Sequence, residues 1–137
     1  MVRRYLLDTN VVSHLLDNRP PAVRLHMNLV GLDATAISVI TEAELRYGLA
    51  NKPGAVSQCV AVERFLDNTA ILVWDWAAAR TYGSLRAEQK RKGRPLATED
   101  LMIAAHAMSL GLTLVTNDGA FSFVDGLKTE DWTVSGS

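Results

Sequence analysis

A chain of 137 residues with 14 basic and 15 acidic side chains, a net charge of −1 and 48% hydrophobic residues fits one domain, 1–137, around one core. That balance argues against a purely electrostatic nucleic-acid coat, and no apolar run reaches the roughly 20 residues that span a bilayer. The apolar stretch after Met1-Val2-Arg3-Arg4 breaks at Asp8, too soon for a signal peptide, and Cys59 is the single cysteine, so no internal disulfide can form. A cytoplasmic protein is expected, with Cys59 as a small core residue of a helix.

In chain order, "RRYLLD" predicts a short buried strand. "VVSHLLDN" has apolar residues at helical spacing, and Pro20-Pro21 breaks it. "PAVRLHMNLVG" restarts a helix that stops at Gly31. "DATAIS" predicts a second strand ending near Ser38. "TEAELRYGLA" predicts a third helix, and "PGAVSQCVAVERFLDN" a fourth opened by Pro53. "AILVWD" is a third strand, followed by a long helix over "WAAARTYGSLRAEQKRKG" that Gly93 ends. "TEDLMIAAHAMSLG" predicts a helix capped by Thr98 and closed by Gly111. "LTLVTND" is a fourth strand, "GAFSF" a helical turn and "DWTVS" a last short strand.

Short, nearly all-apolar strands alternating with helices predict a mostly parallel sheet covered on both faces, an α/β fold. In such sheets ligands sit beyond the carboxyl ends of the strands. Asp8 and Asp118 end predicted strands. Glu44 falls in the first turns of the helix after the second strand, and Asp100 in the first turn of the helix before the fourth. Each has a plain structural explanation. Asp8 can cap a helix, Thr41-Glu42-Ala43-Glu44 matches a capping box, Asp100 suits a helix dipole, and Asp118-Gly119 reads as a turn. As a set they point elsewhere: acids converging on one edge repel unless a cation lies among them or some are protonated. Carboxylates suit Mg²⁺ or Mn²⁺, and no Cys/His spacing suggests zinc.

Other residues sort by the same reasoning. His14, His26 and His106 are scattered and read as packed or surface residues. Glu42, four before Arg46, predicts a helix-surface ion pair. Asp75 reads as the cap of the helix starting at Trp76. The run "RAEQKRKGR" carries Arg86, Lys90, Arg91, Lys92 and Arg94. It reads first as a solvated helix end and second as a phosphate-binding patch.

"LLDTNV", "ITEAELRYG", "EDLMIAAHA" and "LTLVTND", in this order and spacing over nearly the whole chain, resemble the PIN domain, and most closely the VapC-type toxins of bacterial toxin–antitoxin pairs. The closing "EDW" also fits. The resemblance implies a three-layer α/β/α sandwich and a metal-dependent endoribonuclease using Mg²⁺ or Mn²⁺. It implies that Asp8, Glu44, Asp100 and Asp118 form the catalytic and metal-binding set. Asn10 and Thr116, and with them Asn117, match polar positions that orient the site. The turn "GAF" after Asp118 is one residue shorter than in similar proteins. The resemblance further implies an RNA substrate, tRNA first, together with a VapB-type antitoxin and a homodimer. Trp74, Trp76, Tyr47 and Tyr82, near predicted helix and strand ends, read first as core-packing residues and second as anchors for a partner.

Two other readings stay open. A catalytically silent binding module would use the same fold only to hold a partner. A phosphatase of the haloacid dehalogenase type also opens on a strand-end aspartate, but wants a second acid two residues on, where Asn10 stands. A phospho-accepting receiver domain would want a lysine after the last strand, and "VTND" has none.

Overall fold

The computed structural model describes residues 2–134. Its strands are short, and the two central ones it opens with are buried on both faces. β1 (Tyr5–Leu7) and β2 (Thr35–Ser38) are buried at every position. Alternate side chains then feed two separate cores. Tyr5, Leu7 and Ile37 pack with Val11, Leu15 and Val62 on one face. Leu6 and Ala36 pack with Leu85, Ile103 and Ala104 on the other. Leu6 and Leu7 are fully buried, each worth about 2 kcal/mol of apolar burial.

The helices are α1 (Thr9–Asp17), α2 (Pro21–Val30), α3 (Val39–Ala50), α4 (Val56–Asp67), α5 (Trp76–Arg91) and α6 (Thr98–Leu110). The remaining strands are β3 (Ile71–Leu72), β4 (Thr113–Val115) and β5 (Thr129–Glu130). All pairings are parallel, in the order β3-β2-β1-β4-β5. Helix α1, α2 and α4 residues fill the first core, while α5 and α6 residues fill the second. The result is the expected α/β/α sandwich. The chain leaves β1 toward β2 on one side and later returns to β4 on the other. The strand order therefore reverses between β1 and β4, and the crevice of such a sheet opens at that point. Gly111 adopts φ 68°, a left-handed conformation that costs a side-chain-bearing residue, and its N–H caps the Ala107 and Met108 carbonyls. That turn delivers the chain from α6 into β4 with only Leu112 between.

Several boundaries differ from the sequence expectation. Helix α3 starts at Val39, capped by the Ser38 hydroxyl, so Thr41 is inside the helix and the capping box does not form. Ala97 occupies the cap position of α6, with Thr98 as its first residue. Pro53 and Gly54 lie in a turn ahead of α4, which begins at Val56. The last strand falls at Thr129–Glu130, ahead of "DWTVS"; there Asp131 accepts from the Thr133 N–H and turns the chain, and Ser135 lies outside the described residues. Cys59 is exposed on α4, because Val62 and Leu66 define its buried face. Among the described residues no helix is long and apolar enough to cross a membrane.

Candidate active site

Two acids come from strand ends at the crevice. Asp8 follows β1 and its N–H donates to the Val115 carbonyl of β4 at 3.0 Å. That bond ties the ends of β1 and β4 side by side. Asp8 is also the N-cap of α1: its Oδ1 accepts from the Val11 N–H at 2.8 Å. The cap explanation is thus correct as local geometry. Beyond β4, Thr116 is buried and its hydroxyl accepts from the Asp118 N–H at 3.1 Å. Asp118 Oδ1 in turn accepts from the Ala120 N–H at 2.9 Å, capping the 3₁₀ turn Gly119–Phe123.

The other two acids come from helices. Glu44 lies on α3, half-buried, and its Oε1 accepts from the Thr9 hydroxyl at 3.0 Å. Thr9 Oγ1 also lies 3.2 Å from the Thr41 hydroxyl. Asp100 lies in the first turn of α6, again half-buried. The loop after α5 brings the chain back to the carboxyl edge, as the placement of Asp100 requires.

Charge shows that these groups share one space. Burial, then the charges of Asp118, Glu44, Asp8 and Glu99, push Asp100 from 3.8 up to about 6. Burial raises Asp8 as well; the Thr116 hydroxyl and Val11 N–H pull it back, while Asp118 adds to the rise. Burial likewise raises Glu44, offset by the Thr9 hydroxyl and reinforced by Glu99 and Asp8. The four sequence-predicted acids therefore feel one another, and Glu99 is a fifth that sequence reasoning did not single out. Among the described residues, no three acids are drawn into a preformed metal cage. The donor set is all oxygen, which suits a hard cation that retains several waters.

The remaining predicted residues divide. Asn10 and Asn117 are exposed beside Asp8 and Asp118 in sequence. Glu42 pairs with Arg46 at 2.8 Å, and Asp75 caps α5 by accepting from the Ala78 N–H, both as expected. In the basic run, Lys92 bonds to Asp125 and pairs with Glu88 at 3.0 Å. Arg94 stacks over the Phe123 ring at 4.7 Å, and Arg86 donates to the Tyr82 hydroxyl. Arg86 and Lys90 line a pocket with Pro95, Thr98 and Leu101, next along α6 from Asp100. Of the aromatics, Trp76 and Tyr47 are exposed, while Trp74 donates to the Met102 carbonyl and packs edge-on against Tyr82. A cleft lined by Thr9, Ser13, Leu16, Glu44, Leu45 and Leu49 opens directly beside Glu44.

Thr9 is a further residue at these acids that sequence reasoning missed. Its neighbour Asp8 drew attention, but the role of Thr9 depends on α1 and α3 lying side by side, which no local signal records.

Known proteins are similar to this chain in sequence and fold. A model of the PIN domain matches residues 5–127. The chain is 40% identical over 130 residues to the tRNA(fMet)-specific endonuclease VapC of Shigella flexneri, covering 94% of this chain and 98% of that protein. It is 38% identical, with the same coverage, to the protein of that name from Salmonella typhimurium. A crystal structure of DNA-bound VapBC from Salmonella typhimurium superposes with a TM-score of 0.88, at 37% identity, over 95% of this chain and 98% of that one.

Proposed function

The chain belongs to the PIN-domain family, and on that footing we propose that it is the ribonuclease toxin of a VapBC-type toxin–antitoxin pair, one PIN-like domain hydrolysing phosphodiester bonds in RNA with Mg²⁺ or Mn²⁺. The observation that carries the reading is the crowding around Asp100. Burial first, and then acids from the end of β4, α3, β1 and α6, raise its pKa to about 6. A fold bears that repulsion where a cation is to be bound.

Asp8, Glu44, Asp100 and Asp118 would hold the ion, with water completing its coordination. The bound ion supplies the means to ionise a water near neutral pH and to offset charge developing on the phosphoryl oxygens. The chain's own groups do the orienting. The Val11 N–H holds Asp8 Oδ1, the Thr9 hydroxyl holds Glu44 Oε1, and the Ala120 N–H holds Asp118 Oδ1. These three carboxylates are thus held by hydrogen bonds, which limits the rotamer freedom that binding would otherwise have to remove, while Asp100 has no such bond among the described residues. Thr116 orients the loop that carries Asp118. Asn10 and Asn117, exposed at the same edge, are the polar groups that meet the substrate or its waters.

RNA carries negative charge to an acidic site, so flanking cations must hold it. Arg86, Lys90 and Arg91 serve that role best. Lys92 already has two carboxylate partners, and Arg94 is stacked on Phe123. The relatives named as tRNA(fMet)-specific endonucleases make tRNA the first substrate to try. The cleft beside Glu44 joins apolar Leu16, Leu45 and Leu49 to the acids. It suits an antitoxin segment with an apolar face and a basic side chain aimed at the carboxylates. The relatives' VapBC complexes support such a partner, and a homodimer in the cytoplasm is the form proposed.

The test is cleavage of tRNA and other RNA by the purified, antitoxin-free chain. Cleavage should require Mg²⁺ or Mn²⁺ and vanish in Asp8→Asn. Cleavage that persists in EDTA, or in that variant, overturns the proposal.

A further inference from the structure

The four acids are not held in the same way. Asp8 and Asp118 follow two strands that are bonded to each other, so backbone pairing fixes their relation. Glu44 and Asp100 ride on helices, whose relation to each other must be fixed by side chains. Helices α3 and α6 pack together, and one buried polar bond joins them.

His106 of α6 and Ser38 at the cap of α3 are both fully buried, and His106 Nδ1 lies 2.8 Å from Ser38 Oγ. Every other group around them is fixed. The Ser38 oxygen already accepts from the Ile40 N–H at 3.1 Å. The Val73 backbone lies near the imidazole and favours its protonated form. With the ring proton on Nε2, a bare Nδ1 accepts from the Ser38 hydroxyl while the Ser38 oxygen accepts from Ile40. A short series results, Ile40 N–H to Ser38 and Ser38 to His106 Nδ1, beside the Val73 backbone. Burial lowers the His106 pKa and keeps the ring neutral, the only charge state this series allows.

The series links the first turn of α3 to the body of α6, beside the residue after β3. Its members have no access to substrate and donate nothing to the acids directly. Trp74, which donates to the Met102 carbonyl at 2.9 Å, tethers α6 to the same loop.

Resting on the nuclease reading above, we propose that Ser38 and His106 are a positioning pair that sets α6 against α3 and so sets Asp100 relative to Glu44. A mispositioned acid weakens metal binding, and loss of groups that orient metal ligands commonly costs about tenfold or more.

The test has two readouts. Nitroxide labels at Tyr47→Cys and Leu110→Cys, in a Cys59→Ser background, report the α3–α6 distance distribution without any metal. Titration with Mn²⁺ reports the acids. His106→Leu should stay folded in a thermal melt, give a broader distance distribution and bind Mn²⁺ about tenfold more weakly. His106→Asn should restore both, because its Oδ1 sits where Nδ1 did and accepts from Ser38. If the leucine variant does not fold, His106→Gln, which reaches toward Val73 instead of Ser38, supplies the unpaired state. A leucine or glutamine variant with the native distribution overturns the pair, as does an asparagine variant as broad as the leucine one. Native chain that binds no Mn²⁺ would remove the nuclease reading, while the label distances still decide on the pair.

Discussion

Asp100→Asn should make the metal-free protein more stable while removing its activity. The side chain makes no hydrogen bond that asparagine would forfeit, and it ionises at a cost, since burial and four neighbouring acids hold its pKa near 6 rather than 3.8. That shift sets a ceiling of about 3 kcal/mol. Asp100 is only half-buried, so solvent screening brings the expected gain to about 1 kcal/mol. The sign follows from linkage. A folded-state pKa above the unfolded one means the charged form burdens the fold above pH 6, and the burden lifts as pH falls from 6 toward 3.8. In EDTA at pH 7.5 the variant should melt about 3–5 °C higher than the native chain. The gap should close as the buffer is taken toward pH 4. Added Mg²⁺ should stabilise the native chain and leave the variant unmoved. A variant that melts at or below the native temperature at pH 7.5, or a gap that persists in acid, refutes the crowding argument.

Three further outcomes follow. Asp8→Asn should abolish cleavage but keep the α1 cap, since its Oδ1 still accepts from the Val11 N–H; Asp8→Ala should cost about 1 kcal/mol more in urea unfolding. Thr9→Val keeps the shape and removes the hydroxyl on Glu44 Oε1; calorimetry should show metal binding about tenfold weaker, with a lower melt, because leaving the buried Thr41 hydroxyl unpaired costs about 1 kcal/mol. In salt titrations of RNA affinity, Lys90→Gln should lower the slope by about one, whereas Lys92→Gln should leave it alone because that ammonium is already paired.

The fold class and the parallel order of strands between helices were legible because each has a local signal, apolar runs and breaks; so was the placement of Asp8 and Asp118 at strand ends and of Glu44 and Asp100 in the early turns of helices. What was not legible depends on partners distant in sequence. Ser38, rather than Thr41, caps α3, because the strand runs straight into the helix without the loop a capping box implies. Cys59 looked apolar in its run, yet the buried face of α4 is set by Val62 and Leu66. Thr9 and His106 act through contacts with α3, and nothing near either residue in the chain announces that. Lys92 looked like its basic neighbours until Asp125, from another part of the chain, took its charge.

The place of β1 at the centre of the sheet has a consequence for synthesis. Its first partner, β2, follows it closely along the chain, but its second, β4, spans residues 113–115. A nascent chain has β1, β2 and β3, with Asp8 and Glu44 among them, by residue 72. Asp100 and Asp118 join only when the last quarter has left the ribosome and β4 has docked. The reactive centre is therefore the final part to come into being. A chain cut short before β4 would be harmless to the RNA around it, and an interrupted ribosome releases no partial toxin.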